Sequence, residues 1–200
     1  MSDQNRQVVG RFAPSPSGRM HLGNLWSCLL AWLSARSAGG RMILRLEDLD
    51  PDRCRQEYCD QVMRDLEWLG LDWDNQPVYQ SQRTEIYAQT FRQLEQRGLV
   101  YPCYCSRSER LAASAPHRSD GVAVYSGRCR RLSQEEREQL AQSRRPAWRL
   151  EVPEEEYAFT DLLQGEYREN LAQYCGDFIL RRSDGVYAYQ LAVVVDDALM

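Results

Sequence analysis

The sequence contains no lysine; all 25 of its basic residues are arginine. This excludes a phosphate-binding P-loop, which needs a lysine. Histidine is almost as scarce, with only His21 and His117 available for acid–base or metal chemistry. No apolar run approaches the roughly 20 residues that a membrane helix requires. The opening "MSDQNRQVVGRF" has no basic flank leading into an apolar stretch, so it is unlike a secretory signal. A cytoplasmic protein with no membrane partner is therefore expected. The seven cysteines, at 28, 54, 59, 103, 105, 129 and 175, are odd in number and scattered. They read as reduced thiols, some of them on a metal, rather than as a disulfide framework. A net charge of −4 disfavours a simple nucleic-acid coat protein, although a local basic face can coexist with an acidic total.

What is present fits one soluble α/β domain carrying an insertion: 200 residues, 43% apolar and 27% charged. The stretch "QVVGRFA" (7–13) predicts a buried strand, and "PSPSGRM" breaks it. In the following "HLGNLWSCLLAWLSARSAGG", Leu22, Leu25, Trp26, Leu29, Leu30 and Leu33 recur at helical spacing, and a double glycine ends the run. A second unit pairs the strand "MILRL" with a helix closing at Gly70; a third pairs "PVYQS" with a helix ending at Gly98. Alternating strands and helices predict a parallel sheet with covered faces. The expected division is 1–98 as the first half of a Rossmann-type domain, 99–170 as an inserted subdomain, and 171–200 as the start of the second half. In the insertion, "SQEEREQLAQSRR" predicts a helix and "AWRLEV" a strand. The sheet is expected to resume in "DFILRRSDGVYAYQLAVVVDD", with "SDG" as a tight turn between two strands.

Two places carry chemistry. The loop "RFAPSPSGRMHLGN" joins the first strand to the first helix, where doubly wound sheets bind ligands. A helix N-terminus offers unpaired N–H groups and partial positive charge to a phosphate. There His21 can hydrogen-bond the phosphate and Asn24 can support it; the plainer alternative is that His21 only caps the helix. The second place is the trio Cys103, Cys105 and Cys129, which can clip an insertion too small to build much core. For a fourth ligand, general zinc chemistry favours His117 over Tyr125, because a phenol must first lose a proton of pKa about 10. Unrelated thiols remain the bland alternative.

"HLGN" with the upstream "RFAPSPSG" resembles the HIGH signature of class I aminoacyl-tRNA synthetases, in its glutamate-specific form. "LRLEDLDPDR" (44–53) resembles the same group's second strand, and "YAYQLAVVVDD" (187–197) its later strand. The resemblance implies a class I Rossmann-type sheet with a zinc-bearing insertion, and ATP, used with Mg2+, as a substrate. It implies L-glutamate held by Arg11, Phe12, Ala13, Pro14, Ser15, Glu47 and Tyr189, with ATP at Pro14, Ser17, Gly18, His21, Gly23 and Asn24. His21 and Asn24 take the catalytic role. Arg11 suits a carboxylate and Glu47 an ammonium group.

The spacing Cys103-x-Cys105 and Tyr125-x-x-x-Cys129 is similar to that of the glutamyl-queuosine tRNA(Asp) synthetases, short paralogues of glutamyl-tRNA synthetase. In that group a C-x-C pair and Y-x-x-x-C bind one structural zinc. The 19 residues between Cys105 and Tyr125 exceed the group's expected gap and contain His117, which stays a rival ligand. Glutamyl-tRNA synthetases with zinc place a histidine two residues after the last cysteine, where this chain has Arg131. The implied partners are queuosine-containing tRNA(Asp), glutamate and ATP, acting on a monomer. Arg128, Arg130, Arg131, Arg144 and Arg145 are candidate tRNA phosphate contacts. The alternatives are part of a glutamyl-tRNA synthetase, or a non-catalytic zinc-bearing RNA-binding fragment. The class has a second signature, KMSKS, whose lysine holds the ATP phosphates, and a distal glutamate-binding arginine after "VVVDD". Both are expected beyond Met200.

Overall fold

A computed structural model describes residues 7–106, 115–116 and 123–200. They form two units: residues 1–87 together with 192–200, and residues 88–191.

The first unit contains β1 (Val9–Phe12), α1 (Leu22–Ser37), β2 (Arg41–Leu46), α2 (Gln56–Trp68) and β3 (Val78–Tyr79). The strands form a parallel sheet in the order β1-β2-β3, with Phe12 opposite Leu44 and Leu46 opposite Tyr79. The strand–helix alternation thus gives the parallel sheet the sequence predicts. "PVYQS" is strand only at Val78–Tyr79, because Gln80–Arg83 tightens into a 3₁₀ turn that leads into α3 (Thr84–Gln96).

Central strand β2 is buried on both faces from Met42 to Leu46, and its alternation separates two environments. Met42, Leu44 and Leu46 enter the apolar core with Phe12, Ala35, Cys59, Val62, Leu66 and Leu71. Gly10 lets β1 lie close to this core, since a Cβ there would stand 2.6 Å from the Met42 sulfur and 2.8 Å from the Ala35 Cβ. On α1 only the sheet-facing side is covered, leaving Leu22, Trp26, Leu30 and Leu33 exposed.

The second unit holds β4 (Val100–Cys103), α4 (Gln134–Ser143), β7 (Ala147–Leu150), the short helix α5 (Leu171–Tyr174) and β10 (Ile179–Arg181). Two two-residue strands pair as β5 (Ala115–Pro116) with β6 (Ala123–Val124), and β8 (Glu156–Asp161) forms a hairpin with β9 (Gly165–Asn170). Helix α4 starts on a capping box, the Ser133 hydroxyl accepting from the Glu136 N–H and the Glu136 carboxylate from the Ser133 N–H.

Two expectations are corrected here. The parallel sheet does not resume after residue 171: β10 pairs antiparallel with β7, and β7 with β4, in the order β10-β7-β4. Residues 187–197 are not a strand. Tyr187 makes one bridge with Arg181, and Tyr189–Leu199 is helix α6. The valines mislead because β-branched residues favour strands. The buried set Ala192, Val195 and Asp196 instead follows i, i+3, i+4, with Val194 exposed, which is a helix face. The "SDG" turn does form, with the Arg182 N–H donating to the Val186 carbonyl at 2.8 Å. Among the described residues no helix is long and apolar enough to cross a membrane.

Leu66 and Trp68 lie on the same helix, fully buried and 85% exposed respectively. Leu66→Ala is expected to cost about 2–5 kcal/mol, and Trp68→Ala no more than about 0.5 kcal/mol; urea unfolding measures both.

Candidate functional site

The loop after β1 is pinned to the end of β2, where the Glu47 N–H donates to the Pro14 carbonyl at 3.0 Å. Residues 13–18 are thereby held beside the N-terminus of α1. His21 is the N-cap: its Nδ1 accepts from the Gly23 N–H at 3.1 Å, and its own N–H donates to Asn24 Oδ1 at 3.1 Å. The plain capping role is therefore real, and it has a chemical consequence. An Nδ1 that accepts puts the neutral ring's proton on Nε2, leaving an N–H donor on an exposed side chain. Ser15, Ser17, Gly23 and Asn24 are exposed beside it, with Gly18 half-buried. Phe12 is in the core, so only its backbone is available to a ligand.

The other face of β2 presents Ile43, Arg45 and Glu47. Arg45 is completely buried. Its Nη2 donates to Glu47 Oε1 at 3.1 Å, its Nη1 to Asp197 Oδ1 at 2.6 Å, and its Nε lies 3.8 Å from Asp196 Oδ2. Asp196, also completely buried, accepts from Gln80, Arg83 and the Tyr87 hydroxyl, each at 2.8 Å. Burial pushes the Glu47 carboxyl above its ordinary range, against the pull of Arg45. Burial, then the bond to Asp196, holds the Tyr87 phenol protonated far above its usual range.

Arg11 pairs with Asp197 at 2.9 Å rather than with Glu47 or Asp48; Asp48 instead accepts from the Ser81 N–H and hydroxyl. A cleft of about 280 Å³ beside β1 is lined by Val9, Gly10, Arg11, Ile43, Asp197 and Met200. Tyr189 lies in the second unit and is exposed.

The second unit brings the three sequence-distant thiols together. Cys103 ends β4, Cys105 follows two residues on, and Cys129 sits in a 3₁₀ turn (Arg128–Arg131) that Gly127 starts at φ 72°, a left-handed conformation suited to glycine. The sulfurs lie within 4.8 Å of one another, Cys105 and Cys129 at 3.4 Å. The Tyr125 hydroxyl is 3.5 Å from the Cys103 sulfur and 3.7 Å from that of Cys105, and it accepts from the Cys129 N–H at 3.0 Å. A tetrahedral ion with thiolate bonds of about 2.3 Å needs sulfurs about 3.8 Å apart. The four donors therefore suit a metal ion with little rearrangement. His117 lies outside the described residues.

The hydrogen bond from Cys129 lowers the Cys103 thiol below its ordinary range, with Tyr125 and Arg149 assisting. Sharing that proton pushes Cys129 up, and burial pushes the Tyr125 phenol up. Burial likewise raises the thiols of Cys28, Cys54, Cys59 and Cys175, Cys59 to about 11, which favours their protonated form.

A family model described as tRNA synthetases class I (E and Q), catalytic domain, matches residues 7–200. The chain belongs to that family. It is 52% identical over 203 residues to the glutamyl-Q tRNA(Asp) synthetase of Nitratidesulfovibrio vulgaris, covering 96% of this chain and 63% of the relative. The proteins of that name from Symbiobacterium thermophilum (96% of this chain) and from Neisseria meningitidis FAM18 (95%) are 52% and 47% identical, each again matched over 63% of its length. The chain thus spans just under two thirds of these curated relatives. A solved glutamate tRNA ligase from Elizabethkingia meningosepticum, in complex with its amino acid, superposes with TM-score 0.80 at 30% identity, over 96% of this chain and 42% of that one. The glutamate-tRNA synthetase of Elizabethkingia anophelis gives 0.81 at the same identity and coverage.

For this class I synthetase domain, the residues that sequence reading passed over are Arg45, Asp196, Asp197 and Arg149. Each arginine stands inside an otherwise apolar strand, "MILRL" or "AWRLEV", a position that signals a buried partner. Of the proposed tRNA contacts, Arg130 is drawn to Glu151 and Asp177, and Arg144 donates to the Tyr104 carbonyl. Arg131 and Arg145 are exposed.

Arg45→Met leaves Glu47 and Asp196 buried without their shared cation. The expected loss is about 3–5 kcal/mol in urea unfolding. Arg45→Lys should recover only part of it, since one ammonium cannot reproduce the planar fork that serves Glu47 and Asp197 together.

Proposed function

We propose that the chain forms the greater part of an enzyme that activates L-glutamate with ATP and transfers it to queuosine in the anticodon of tRNA(Asp). The observation that carries this reading is the Tyr125 hydroxyl among the three sulfurs, with Arg131 where zinc-bearing glutamyl-tRNA synthetases have histidine. Similarity over 95–96% of the chain to proteins named glutamyl-Q tRNA(Asp) synthetase supports it. In the first step a glutamate carboxylate oxygen attacks the α-phosphorus of ATP and pyrophosphate leaves. In the second, a hydroxyl of the queuosine diol attacks the acyl carbon and AMP leaves.

Within these residues catalysis is positioning and charge stabilisation. The N-terminus of α1, the His21 Nε2–H and the Asn24 amide would face the ATP phosphates, with Pro14, Ser17, Gly18 and Gly23 allowing close approach and Mg2+ accompanying the nucleotide. Glu47 holds the substrate ammonium. Arg11 binds the substrate carboxylate by exchanging its pair with Asp197, an inexpensive exchange because both side chains are about 40% exposed. Ala13 and Ser15 complete the first unit's share of the glutamate pocket, and Tyr189 is the further glutamate contact that the family resemblance implies. No lysine is available, so cationic help from these 200 residues comes from arginine alone. Cys103, Cys105, Tyr125 and Cys129 would hold one structural zinc, which fixes the insertion. The enzyme would work in the cytoplasm as a monomer.

The 30% identity to solved glutamate-tRNA synthetases favours a second reading, charging of tRNA(Glu). ATP–pyrophosphate exchange on the full-length protein separates the two. Exchange driven by glutamate without any tRNA is expected, and Glu47→Gln should raise the glutamate KM roughly 10–100-fold through loss of a charge-assisted bond. A strict requirement for tRNA(Glu) would leave the second reading.

Metal analysis tests the ligand set. Tyr125→Phe should lose stoichiometric zinc and His117→Ala should keep it; the reverse pattern would put His117 in the site.

A further inference from the structure

Strand β7 is the central strand of the antiparallel sheet, and it carries a buried arginine. Arg149 stands opposite Tyr101 on β4 and therefore diagonal to Cys103, on the face that also bears the cysteine cluster. Only 5% of Arg149 is exposed. Its guanidinium carbon lies 3.8 Å from the centroid of the Tyr125 ring, a close cation–π stack. Nη1 donates to the Asp177 backbone carbonyl at 2.5 Å, and Nε has no hydrogen-bond partner. The Asp177 carboxylate is already committed to the Tyr101 hydroxyl at 2.6 Å and the Val152 N–H at 2.9 Å. Among the described residues Arg149 makes no ion pair with a carboxylate, and the groups that face it are the Tyr125 ring and the cysteine cluster.

The cluster itself can supply an anion. Metal ligands bind deprotonated, so three thiolates and a phenolate around a divalent ion carry a net −2. With a neutral imidazole as fourth ligand the charge would still be −1. We propose that Arg149 is the charge-balancing and positioning residue of this metal centre, offsetting the negative charge of the loaded cluster while its stacked guanidinium fixes the Tyr125 ring. The inference rests on reading Cys103, Cys105, Tyr125 and Cys129 as zinc ligands.

Zinc competition against a chromophoric chelator, on the full-length protein at fixed pH and ionic strength, tests it. Arg149→Met should weaken zinc binding about 10–100-fold, the range for partners that orient metal ligands. Arg149→Lys should recover part of the affinity, keeping the charge without the planar stack. Thermal unfolding with and without chelator gives the second readout. Arg149→Met should cost the zinc-loaded protein clearly more stability than it costs the metal-free protein, each compared with wild type in the same condition. Unchanged zinc affinity, or equal destabilisation with and without metal, would overturn the inference and leave Arg149 a packing residue; failure to fold in both conditions counts the same way. Wild-type protein that binds no zinc would overturn the ligand reading beneath it, a result seen before any variant is compared.

Discussion

The first unit is organised around one buried cation. Arg45 stands on β2, completely removed from water, and touches Glu47 and Asp197 while lying near Asp196. A charge in that position is tolerable only with its anions in place, so β2 must keep the segment Ala192–Met200 on its polar face. That requirement ties residues more than 140 positions apart in sequence. It also determines what Glu47 can do. Held from one side by Arg45 and desolvated, the carboxylate keeps one oxygen free of that bond, as the proposed ammonium contact requires, in a setting where each hydrogen bond counts for more than in water.

The cost of such a network is visible in its imperfections. The Arg45 Nε and the Gln80 Oε1 are buried without hydrogen-bond partners, although Asp196 has three donors around it. A purely structural core would replace this set with packed apolar side chains at little or no loss of stability. Keeping it places the charges of Arg11, Glu47 and Asp197 at one end of the sheet, where the loop 13–18 and the start of α1 also converge. Asp197 is the adjustable member: it is shared by Arg45 and Arg11, and only its bond to Arg45 is shielded from water.

Much of the first unit was legible in the sequence because parallel strands and amphipathic helices leave opposite periodicities, and the turns between them are marked by proline and glycine. The HIGH-like stretch was legible too, since its residues are contiguous. The C-terminal stretch was not. "LAVVVDD" has strand-like composition, and only the i, i+3, i+4 spacing of Ala192, Val195 and Asp196 reveals the helix that tertiary contacts select. The hairpin β8–β9 escaped notice because its residues are mostly exposed on both faces, which erases the apolar alternation by which strands are recognised. The cysteine cluster was partly legible: spacing suggests the trio and the resemblance adds Tyr125, but only the fold shows its hydroxyl 3.5 and 3.7 Å from the Cys103 and Cys105 sulfurs.

The same physical rule recurs in both units. Each has a three-stranded sheet, and each central strand, β2 or β7, carries one buried arginine on the face that bears the chemistry. Arg45 meets the side chains of Glu47 and Asp197, and so its hydrogen bonds are made within the chain. Arg149 meets the Tyr125 ring beside the three cysteines, the groups proposed as metal ligands. The first arrangement is therefore preorganised, with its charges paired within the chain. The second is conditional in the proposed reading: its electrostatic balance would close with an ion bound. Two sheets built by one rule thus present different partners to their buried arginines, carboxylates to Arg45 and an aromatic ring beside the cysteine cluster to Arg149.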